Sequence, residues 1–277
     1  GSRILSGALS LEKAGTLRDR DGESLDDWRK SAGFGNQKLE SARLKSNCYS
    51  AFVELHIEQG PLLEEEDIAI GIVEKIAAPS TLRIQLTGEG GHAGAVLMPG
   101  RRDALLAGAE IALAVERAAL ESGSRDTVGT TGVLRIEPGA VNSIPCRAWL
   151  EIDLRDTQVS SRDVALERIE NEVAEICLRR EIAFVLDRLN VDAPALCDPK
   201  LVRTISTCAS ELGLPCKKMI SRAYHDSLFM AQVCPTAMIF IPCRNGVSHR
   251  PDEFSSPKQI HQGVSVLAAT LAKLSSE

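Results

Sequence analysis

The sequence has no long hydrophobic run and no basic stripe, and each absence excludes a class of function. The longest apolar stretches, such as Thr236–Pro242, are far shorter than the roughly 20 residues that a membrane-spanning helix needs. The formal net charge is −6 and the pI is near 5.5. A nucleic-acid-binding protein would instead show a basic face. We therefore expect neither a membrane nor a nucleic acid as a partner.

Several short catalytic motifs are also missing. The chain has no G-x-S-x-G elbow, no Gly-rich phosphate loop and no H-E-x-x-H pair. Its eight cysteines form no C-x-x-C pair, which is typical of buried thiols and leaves disulfides and the redox compartment open. The chain begins Gly1-Ser2-Arg3 without a signal-like segment, so a cloning scar or an internal start fits as well as a natural terminus.

The periodicity of residues 79–190 predicts one compact unit. Apolar residues alternate with polar ones at Leu82, Ile84 and Leu86, as in a half-buried strand, and a helix follows Asp103. Ser160 with Asp163 is a capping-box signal for a second helix. The remaining predicted strands are Thr131–Ile136, Arg147–Arg155 and Ala183–Leu186. This β-α-β-β-α-β order predicts an inserted α+β domain of ferredoxin-like type over residues 79–190.

The flanking residues, 1–78 and 191–277, have the helix and strand alternation of one interrupted α/β domain. Asp198-Pro199 starts a helix that ends at Gly213, and Thr236–Ile241 is typical of a buried, parallel-type strand. Phe52–Ile57 is a further strand candidate, and residues 20–46 resemble a solvated helix and loop. A final helix begins at the Ser256-Pro257 cap with Gln259, and its apolar face contains Ile260, Val264, Leu267, Leu271 and Leu274.

Histidine is scarce, with five in the chain, and His56 is the first that suggests chemistry. It lies in Glu54-Leu55-His56-Ile57-Glu58-Gln59-Gly60-Pro61, at a predicted strand end before a Gly-Pro break. Ligands and metals collect at the ends of strands in α/β sheets. A histidine satisfied within the surface or core is the alternative that the local sequence leaves open.

Two other histidines have polar or glycine-rich surroundings. His92, in Gly90-Gly91-His92-Ala93-Gly94, could be an oxyanion donor or a base, although an exposed Gly-rich turn explains it equally well. His225, beside Asp226 at a predicted helix start, could bind a metal, but Asp enrichment at helix starts also explains the pair. His249 could contribute to a site or end a loop, and His261 receives no role. Scattered histidines without a nucleophile motif favour metal-dependent hydrolysis.

Six segments occur in the order of one family. They are His56 to Pro61, Gly90 to Met98 with Arg101-Arg102-Asp103, Val141 to Pro145, Asp153 to Thr157, Tyr224-His225-Asp226 and Gly246 to His249. The chain resembles the metallo-amidohydrolases that include allantoate amidohydrolase, N-carbamoyl-L-amino-acid hydrolase, β-ureidopropionase and ureidoglycolate amidohydrolase. The resemblance covers nearly the whole chain, and its details are most similar to the plant-type ureidoglycolate-cleaving members.

The resemblance implies a phosphorylase/hydrolase-like α/β catalytic domain and a ferredoxin-like lid through which two copies form a homodimer. It implies two metal ions, usually manganese (Mn2+), with His56 holding one and His225 the other, that activate a water molecule. His92 would stabilise the oxyanion, Asn142 would bind the substrate and Arg155 would pair with its carboxylate, which a planar guanidinium can grip through two hydrogen bonds. Plant-type relatives imply the endoplasmic reticulum as the compartment.

Two departures from the family pattern affect these expectations. Family members carry further metal ligands and a Glu-Glu pair ahead of the region matching Gly1, so we expect a catalytic domain that is incomplete at its N-terminus. Where allantoate-cleaving relatives place a Gln, this chain has Ala78-Pro79-Ser80. Tyr224 stands where relatives usually have a small residue, directly before the metal-binding histidine. Both changes favour a shorter substrate than allantoate, with (S)-ureidoglycolate as the first hypothesis.

Three alternatives stay open. The first is hydrolysis of allantoate or of an N-carbamoyl amino acid. The second is a dimerising or binding fragment without catalytic activity, which the absent ligands would favour. The third is an aminopeptidase of the wider superfamily, which the string from His56 to Pro61 disfavours.

Overall fold

A computed structural model describes residues 1–19 and 21–276, so the first residue of the predicted segment 20–46 lies outside the described residues. The helices are α1 (Ser2–Ser6), α2 (Leu11–Thr16), α3 (Leu25–Ser31), α4 (Leu62–Glu65), α5 (Ala104–Leu120), α6 (Val159–Arg179), α7 (Pro199–Glu211), α8 (Ser227–Met230) and α9 (Pro257–Leu274). The strands are β1 (Phe52–Ile57), β2 (Ile70–Ile76), β3 (Ala78–Thr87), β4 (Gly91–His92), β5 (Val128–Glu137), β6 (Ser143–Ile144), β7 (Arg147–Asp156), β8 (Ala183–Val191), β9 (Ala195–Leu196), β10 (Cys216–Ser221) and β11 (Thr236–Ile241). Within these described ranges, no helix is both long and apolar enough to cross a membrane.

The chain divides into two compact units. Unit 1 contains residues 1–76 and 195–277, and unit 2 contains residues 77–194. Unit 1 is built on a mixed sheet in the order β1-β11-β2-β10, with β9 added antiparallel to β2. Strand β11 is parallel to β1 and antiparallel to β2, so the expectation of a parallel-type strand holds on one side only. Its apolar sequence from Thr236 to Ile241 is buried throughout, as a central strand covered on both faces requires.

Helix α9 packs on the β1 and β11 side of this sheet, but not through the apolar face that the sequence suggested. Its buried residues are Gly263, Val266 and Thr270, whereas Ile260 and Val264 are nearly half exposed. A Cβ added at Gly263 would lie 2.6 Å from Ile241 Cγ2. The absence of a side chain at this position therefore lets the helix backbone approach the sheet closely.

Unit 2 has the element order β3-α5-β5-β7-α6-β8, with an antiparallel sheet in the strand order β5-β7-β3-β8. Alternate residues of β7 are buried, and Leu150 and Ile152 pack with α5 and α6 in one core cluster. The short strands β4 and β6 pair with each other, so His92 lies in a strand opposite Ser143; it is exposed, and its carbonyl accepts from the Ala95 and Val96 backbone N–H groups of the turn that follows.

The predicted cap of α6 is wrong. The helix begins at Val159 after Gln158, and no side chain caps it. The buried Asp156 carboxylate accepts hydrogen bonds from the Gln158 backbone N–H (2.7 Å) and from Thr127 Oγ1 (2.5 Å). This carboxylate fixes the turn ahead of the helix, and Ser160 falls inside the first helical turn. By contrast, the predicted capping box at Ser256 is confirmed.

Two strand ends also differ from expectation. Strand β8 runs to Val191, and β5 begins at Val128 rather than Thr131.

All eight cysteines are free thiols, and Cys48 is exposed although a buried thiol was expected. Burial raises the pKa of Cys197 to about 12, which keeps that thiol protonated.

Candidate functional site

Strand β1 presents two ligand-type side chains on one face of the unit 1 sheet. Glu54 and His56 are two residues apart, so their side chains leave the strand on the same side. Leu55, between them, points to the opposite face of the sheet, toward α9. Its Cδ1 lies 2.7 Å from the position that a Cβ at Gly263 would occupy. The strand therefore separates an apolar face toward α9 from a polar face carrying Glu54 and His56.

The segment between β10 and α8 covers this polar face and brings His225 to it. The rings of His56 and His225 lie 4.6 Å apart between centroids, in an edge-to-face arrangement at 68°. His225 is buried, with 5% of its surface exposed. The Ser227 backbone N–H and Oγ, at the start of α8, donate to Glu54 Oε2 at 3.0 and 2.6 Å. The structure thus joins two histidines that are far apart in the sequence.

Hydrogen bonds orient both rings and locate the ring proton of His56. His56 Nδ1 lies 2.8 Å from the Ile57 carbonyl oxygen, which can only accept, so Nδ1 carries the proton and Nε2 keeps a lone pair. Ser221 Oγ donates to the Ala223 carbonyl and lies 2.8 Å from His225 Nε2. Ser221 Oγ thus orients the His225 ring from its Nε2 side.

These residues fit a metal ion. One ligand atom each from Glu54, His56 and His225 lies within 4.8 Å of the others, and no other such group occurs in the part of the chain that the structure describes. Nitrogen and oxygen ligands about 2.0–2.2 Å from a shared ion are at most roughly 4.4 Å apart, close to this spacing. Imidazole and carboxylate together suit manganese or zinc. Glu54 was not identified from the sequence, although its two-residue spacing from His56 in a strand was the signal available.

The loop that carries His249 borders the same strand end. Gly246 has a φ of +63°, and a Cβ there would lie 2.7 Å from the Gly60 carbonyl carbon, so only glycine permits this approach. Gln59 Nε2 donates to Ser248 Oγ at 2.8 Å. His249 itself has a φ of 58°, a strained left-handed conformation for a residue with a side chain.

Within this loop, the His249 backbone N–H donates to Glu253 Oε2 at 3.0 Å. The pKa of Glu253 is lowered, chiefly by the hydrogen bond from the His249 backbone N–H and, more weakly, by the charges of His249 and His56. The Gln59 to Ser248 hydrogen bond and the approach of Gly246 to Gly60 make neighbours of the two motifs that the sequence offered separately, one ending in Pro61 and one in His249.

Within unit 2, the structure brings His92 and Asn142 together. Strands β4 and β6 pair antiparallel, and the Ala93 backbone N–H donates to the Asn142 carbonyl at 2.9 Å. Both residues line one open cavity of about 600 Å³. His92 Nδ1 accepts from the Gly94 backbone N–H at 3.1 Å, which orients the imidazole and leaves Nε2 as its donor nitrogen.

Arg155 lies at the other end of the unit 2 sheet. It pairs with Pro79 and Val128, whereas the strand end at Arg147, opposite Thr87, leads back to Asn142 and His92. The eight residue-to-residue steps from Arg147 to Arg155 along an extended strand correspond to about 26 Å. The Arg155 guanidinium donates to the Asp153 carboxylate at 2.6 and 3.0 Å. One copy of unit 2 therefore does not bring Arg155 together with His92.

Tyr224 lies beside His225 on the segment ahead of α8. Its ring packs edge-to-face on Phe229, with 5.4 Å between the centroids, and the side chain is partly exposed. Tyr224 is therefore adjacent to His225 in the chain, with its ring on Phe229.

Comparison with known proteins identifies relatives of the whole chain. A family model described as Peptidase family M20/M25/M40 matches residues 31–273. The ureidoglycolate hydrolase of Arabidopsis thaliana is 50% identical over 281 residues, which cover 99% of this chain and 59% of the relative. That of Oryza sativa subsp. japonica is 49% identical, with 99% and 58% covered. An N-carbamoyl-L-amino acid amidohydrolase of Geobacillus stearothermophilus is 37% identical, with 99% and 66% covered.

Solved structures are similar in fold. The crystal structure of AtUAH in complex with glyoxylate has a TM-score of 0.92 and 49% identity, covering 100% of this chain and 67% of that one. A hydantoinase/carbamoylase family amidase from Burkholderia vietnamiensis has a TM-score of 0.89 and 31% identity, covering 98% and 65%. The chain spans 58–59% of the length of the two ureidoglycolate hydrolases.

Proposed function

The chain belongs to peptidase family M20/M25/M40, and on that premise we propose that it is part of a metal-dependent amidohydrolase. The proposed reaction is hydrolysis of (S)-ureidoglycolate to glyoxylate, ammonia and carbon dioxide. The observation that carries the proposal is the pair of histidines, His56 and His225, which the fold joins on one face of β1 with their rings 4.6 Å apart. Similarity to two plant ureidoglycolate hydrolases at about half identity supports this substrate.

We propose that His56, through Nε2, and His225 hold manganese. A bound metal would polarise the ureido carbonyl and lower the pKa of a water molecule. His249 is a further candidate ligand, because its loop is tied to the same strand end by the Gln59 to Ser248 hydrogen bond. The buried position of His225 excludes bulk water from one side of the pair, which strengthens its attraction for a cation.

Unit 2 supplies substrate contacts in this proposal. His92 Nε2–H donates to the oxyanion that develops when water attacks the ureido carbonyl, and the neighbouring Asn142 amide binds the substrate. Arg155 pairs with the substrate carboxylate through its guanidinium, exchanging its present partner Asp153 for it. Tyr224, next to His225, narrows the pocket and offers a hydroxyl, which suits a substrate shorter than allantoate.

The opposite positions of Arg155 and His92 within unit 2 support a homodimer. Strand β7 spans about 26 Å from Arg155 to Arg147, the end that leads to His92, so a small substrate cannot touch both side chains of one copy and the proposal takes them from different copies. Unit 2 is then a ferredoxin-like lid that also forms the dimer contact.

The exposed leucines of α5 are the surface that we assign to this dimer. Leu106, Leu113 and Leu120 recur at seven-residue intervals and are about 40–79% exposed. Strand β5 beside them pairs only with β7 among the described strands, so its outer edge is open. A two-fold axis would bring both features of one copy against the same features of the other.

Ammonia release in the presence of manganese tests the substrate. (S)-Ureidoglycolate, allantoate and an N-carbamoyl amino acid are supplied in parallel, with the His261→Ala variant as a control because His261 has no assigned role. Ammonia from ureidoglycolate in clear excess over the others supports the proposal. Equal or better turnover of allantoate overturns the substrate, and no turnover with no bound metal favours a binding fragment without activity.

A further inference from the structure

Glu54 makes hydrogen bonds that the proposed reaction does not need. Its Oε2 accepts from both the backbone N–H and the hydroxyl of Ser227. Ser227 is fully buried and is the first residue of α8, two positions after His225. A carboxylate that accepts two donors at one helix start resembles a cap supplied from another strand, and such charge-assisted bonds are stronger than neutral ones.

The segment around His225 is held by the burial of all four α8 residues and by hydrogen bonds to other elements. Helix α8 has four residues, far fewer than an isolated helix needs to be stable, so its position depends on ties to other elements. One tie is the hydrogen bond from Ser2 Oγ to Asp226 Oδ1 at 2.5 Å. Ser221 Oγ, at the end of β10, contacts the His225 ring itself. The bonds from Ser227 to Glu54 are the ties to the strand that also carries His56.

Glu54 also has its charge beside the two histidines. One of its carboxylate oxygens lies within 4.8 Å of a nitrogen of each ring. Its two hydrogen bonds go to Ser227, and no ion pair with Lys or Arg involves it among the residues that the structure describes. The carboxylate could therefore act on a bound cation directly, or it could act on the cation through His225.

We propose that Glu54 is a positioning residue: its bonds to Ser227 hold His225 against β1 and so set the spacing of the His56 and His225 rings. This inference rests on the proposed function, because the spacing matters there for holding a metal. Partners that orient metal ligands from outside the coordination sphere commonly change metal affinity by about 10–100-fold when removed.

Two substitutions of Glu54 separate positioning from direct binding of the cation. Glu54→Gln keeps an oxygen that can accept from Ser227 and removes the charge, whereas Glu54→Ala removes both. Ser227→Ala deletes the hydroxyl donor alone and is the milder test of the same tie. Glu66→Gln, on the surface of unit 1 where Glu66 pairs with Lys217, is the control.

Three measurements are made on each variant, and two of them need no metal. Histidine-selective NMR reports the ring environment of His225, and hydrogen exchange reports the protection of the Ser227 amide. Titration with Mn2+ alone gives the metal affinity. We expect Glu54→Ala to move the His225 ring resonances, to speed Ser227 exchange about tenfold or more and to weaken Mn2+ binding about tenfold or more. Glu54→Gln and the control should stay near the parent protein, and Ser227→Ala should shift in the same direction as Glu54→Ala by less.

Two results would overturn the positioning role. The first is a Glu54→Ala variant with unchanged His225 resonances and unchanged Ser227 exchange. The second is a Glu54→Gln variant that loses Mn2+ as badly as Glu54→Ala while its Ser227 amide stays protected, because that pattern means a charged ligand. If the parent protein binds no Mn2+, the proposed function fails, yet the NMR and exchange data still decide what Glu54 does.

Discussion

Mixed dimers test whether His92 and Arg155 of different copies serve one substrate. In unit 2, Arg155 lies about 26 Å along β7 from Arg147, the strand end that leads to His92. His92→Ala should lower kcat about 10²–10³-fold, the usual effect of removing an oxyanion donor. Arg155→Ala should raise KM for ureidoglycolate, because the carboxylate loses its guanidinium partner.

The heterodimer of these two variants should regain activity. If each site takes His92 from one copy and Arg155 from the other, one of the two sites in a heterodimer carries both substitutions and the other carries none. The heterodimer should then have about half of the parent activity. Co-expression of the two variants with different affinity tags, followed by two purification steps, isolates it for an ammonia-release assay.

A matched heterodimer provides the control. His92 and Asn142 lie together on the paired strands β4 and β6, so both must come from the same copy. The heterodimer of His92→Ala and Asn142→Ala should therefore stay as inactive as its parents. Recovery in this control, or no recovery in the His92 and Arg155 pair, would refute the assignment of the two residues to different copies.

Three further predictions concern stability and assembly. Gly263→Ala should destabilise unit 1 by about 1–3 kcal/mol in denaturant unfolding, because the added Cβ would lie 2.6 Å from Ile241 and 2.7 Å from Leu55. The control Gly15→Ala should not destabilise it, because a Cβ at Gly15 has no atom within 4 Å. The Glu110 carboxylate has its pKa lowered from 4.5 to about 2 by hydrogen bonds from Arg180 and Arg179. Because its pKa is lower in the folded state than in the unfolded state, Glu110→Gln should lower the free energy of unfolding by about 1 kcal/mol at neutral pH. This difference in stability between parent and variant should vanish as the pH falls from about 4.5 toward 2. A difference that stays constant with pH would contradict the ion pairing of Glu110. Leu113→Lys should convert dimers to monomers in sedimentation analysis, whereas the control Leu178→Lys on α6 should leave the dimer intact. A Leu113→Lys protein that remains dimeric would show that α5 is not part of the interface.

Strands with a clean alternation could be predicted because their burial is set by one sheet face. Strand β7 was expected at Arg147–Arg155 and runs to Asp156, with Leu150 and Ile152 in the core. The helix starts at Asp198 and Ser256 were also predicted, since their side chains do cap the helices. Strands β2 and β10 were not predicted, and both pair with strands distant in the sequence.

Other features depended on tertiary packing that no local pattern contains. The apolar stripe of α9 predicted the buried face wrongly, because the small side of the helix at Gly263 lets it approach β1 and β11. Helix α6 begins without a side-chain cap, and Asp156 of the preceding strand, rather than Ser160, fixes the turn ahead of it. Glu54 became a candidate only when the fold placed Ser227 and His225 beside it.

Metal dependence of the histidine pair is the most direct test of the account. Mn2+ bound by the parent protein is measured together with ammonia release from (S)-ureidoglycolate, and both are repeated for His56→Ala, His225→Ala and the His261→Ala control. The account predicts that the two site variants lose bound Mn2+ and turnover together, while the control keeps both. Turnover that survives removal of the metal, or Mn2+ binding that survives both site substitutions, would contradict it.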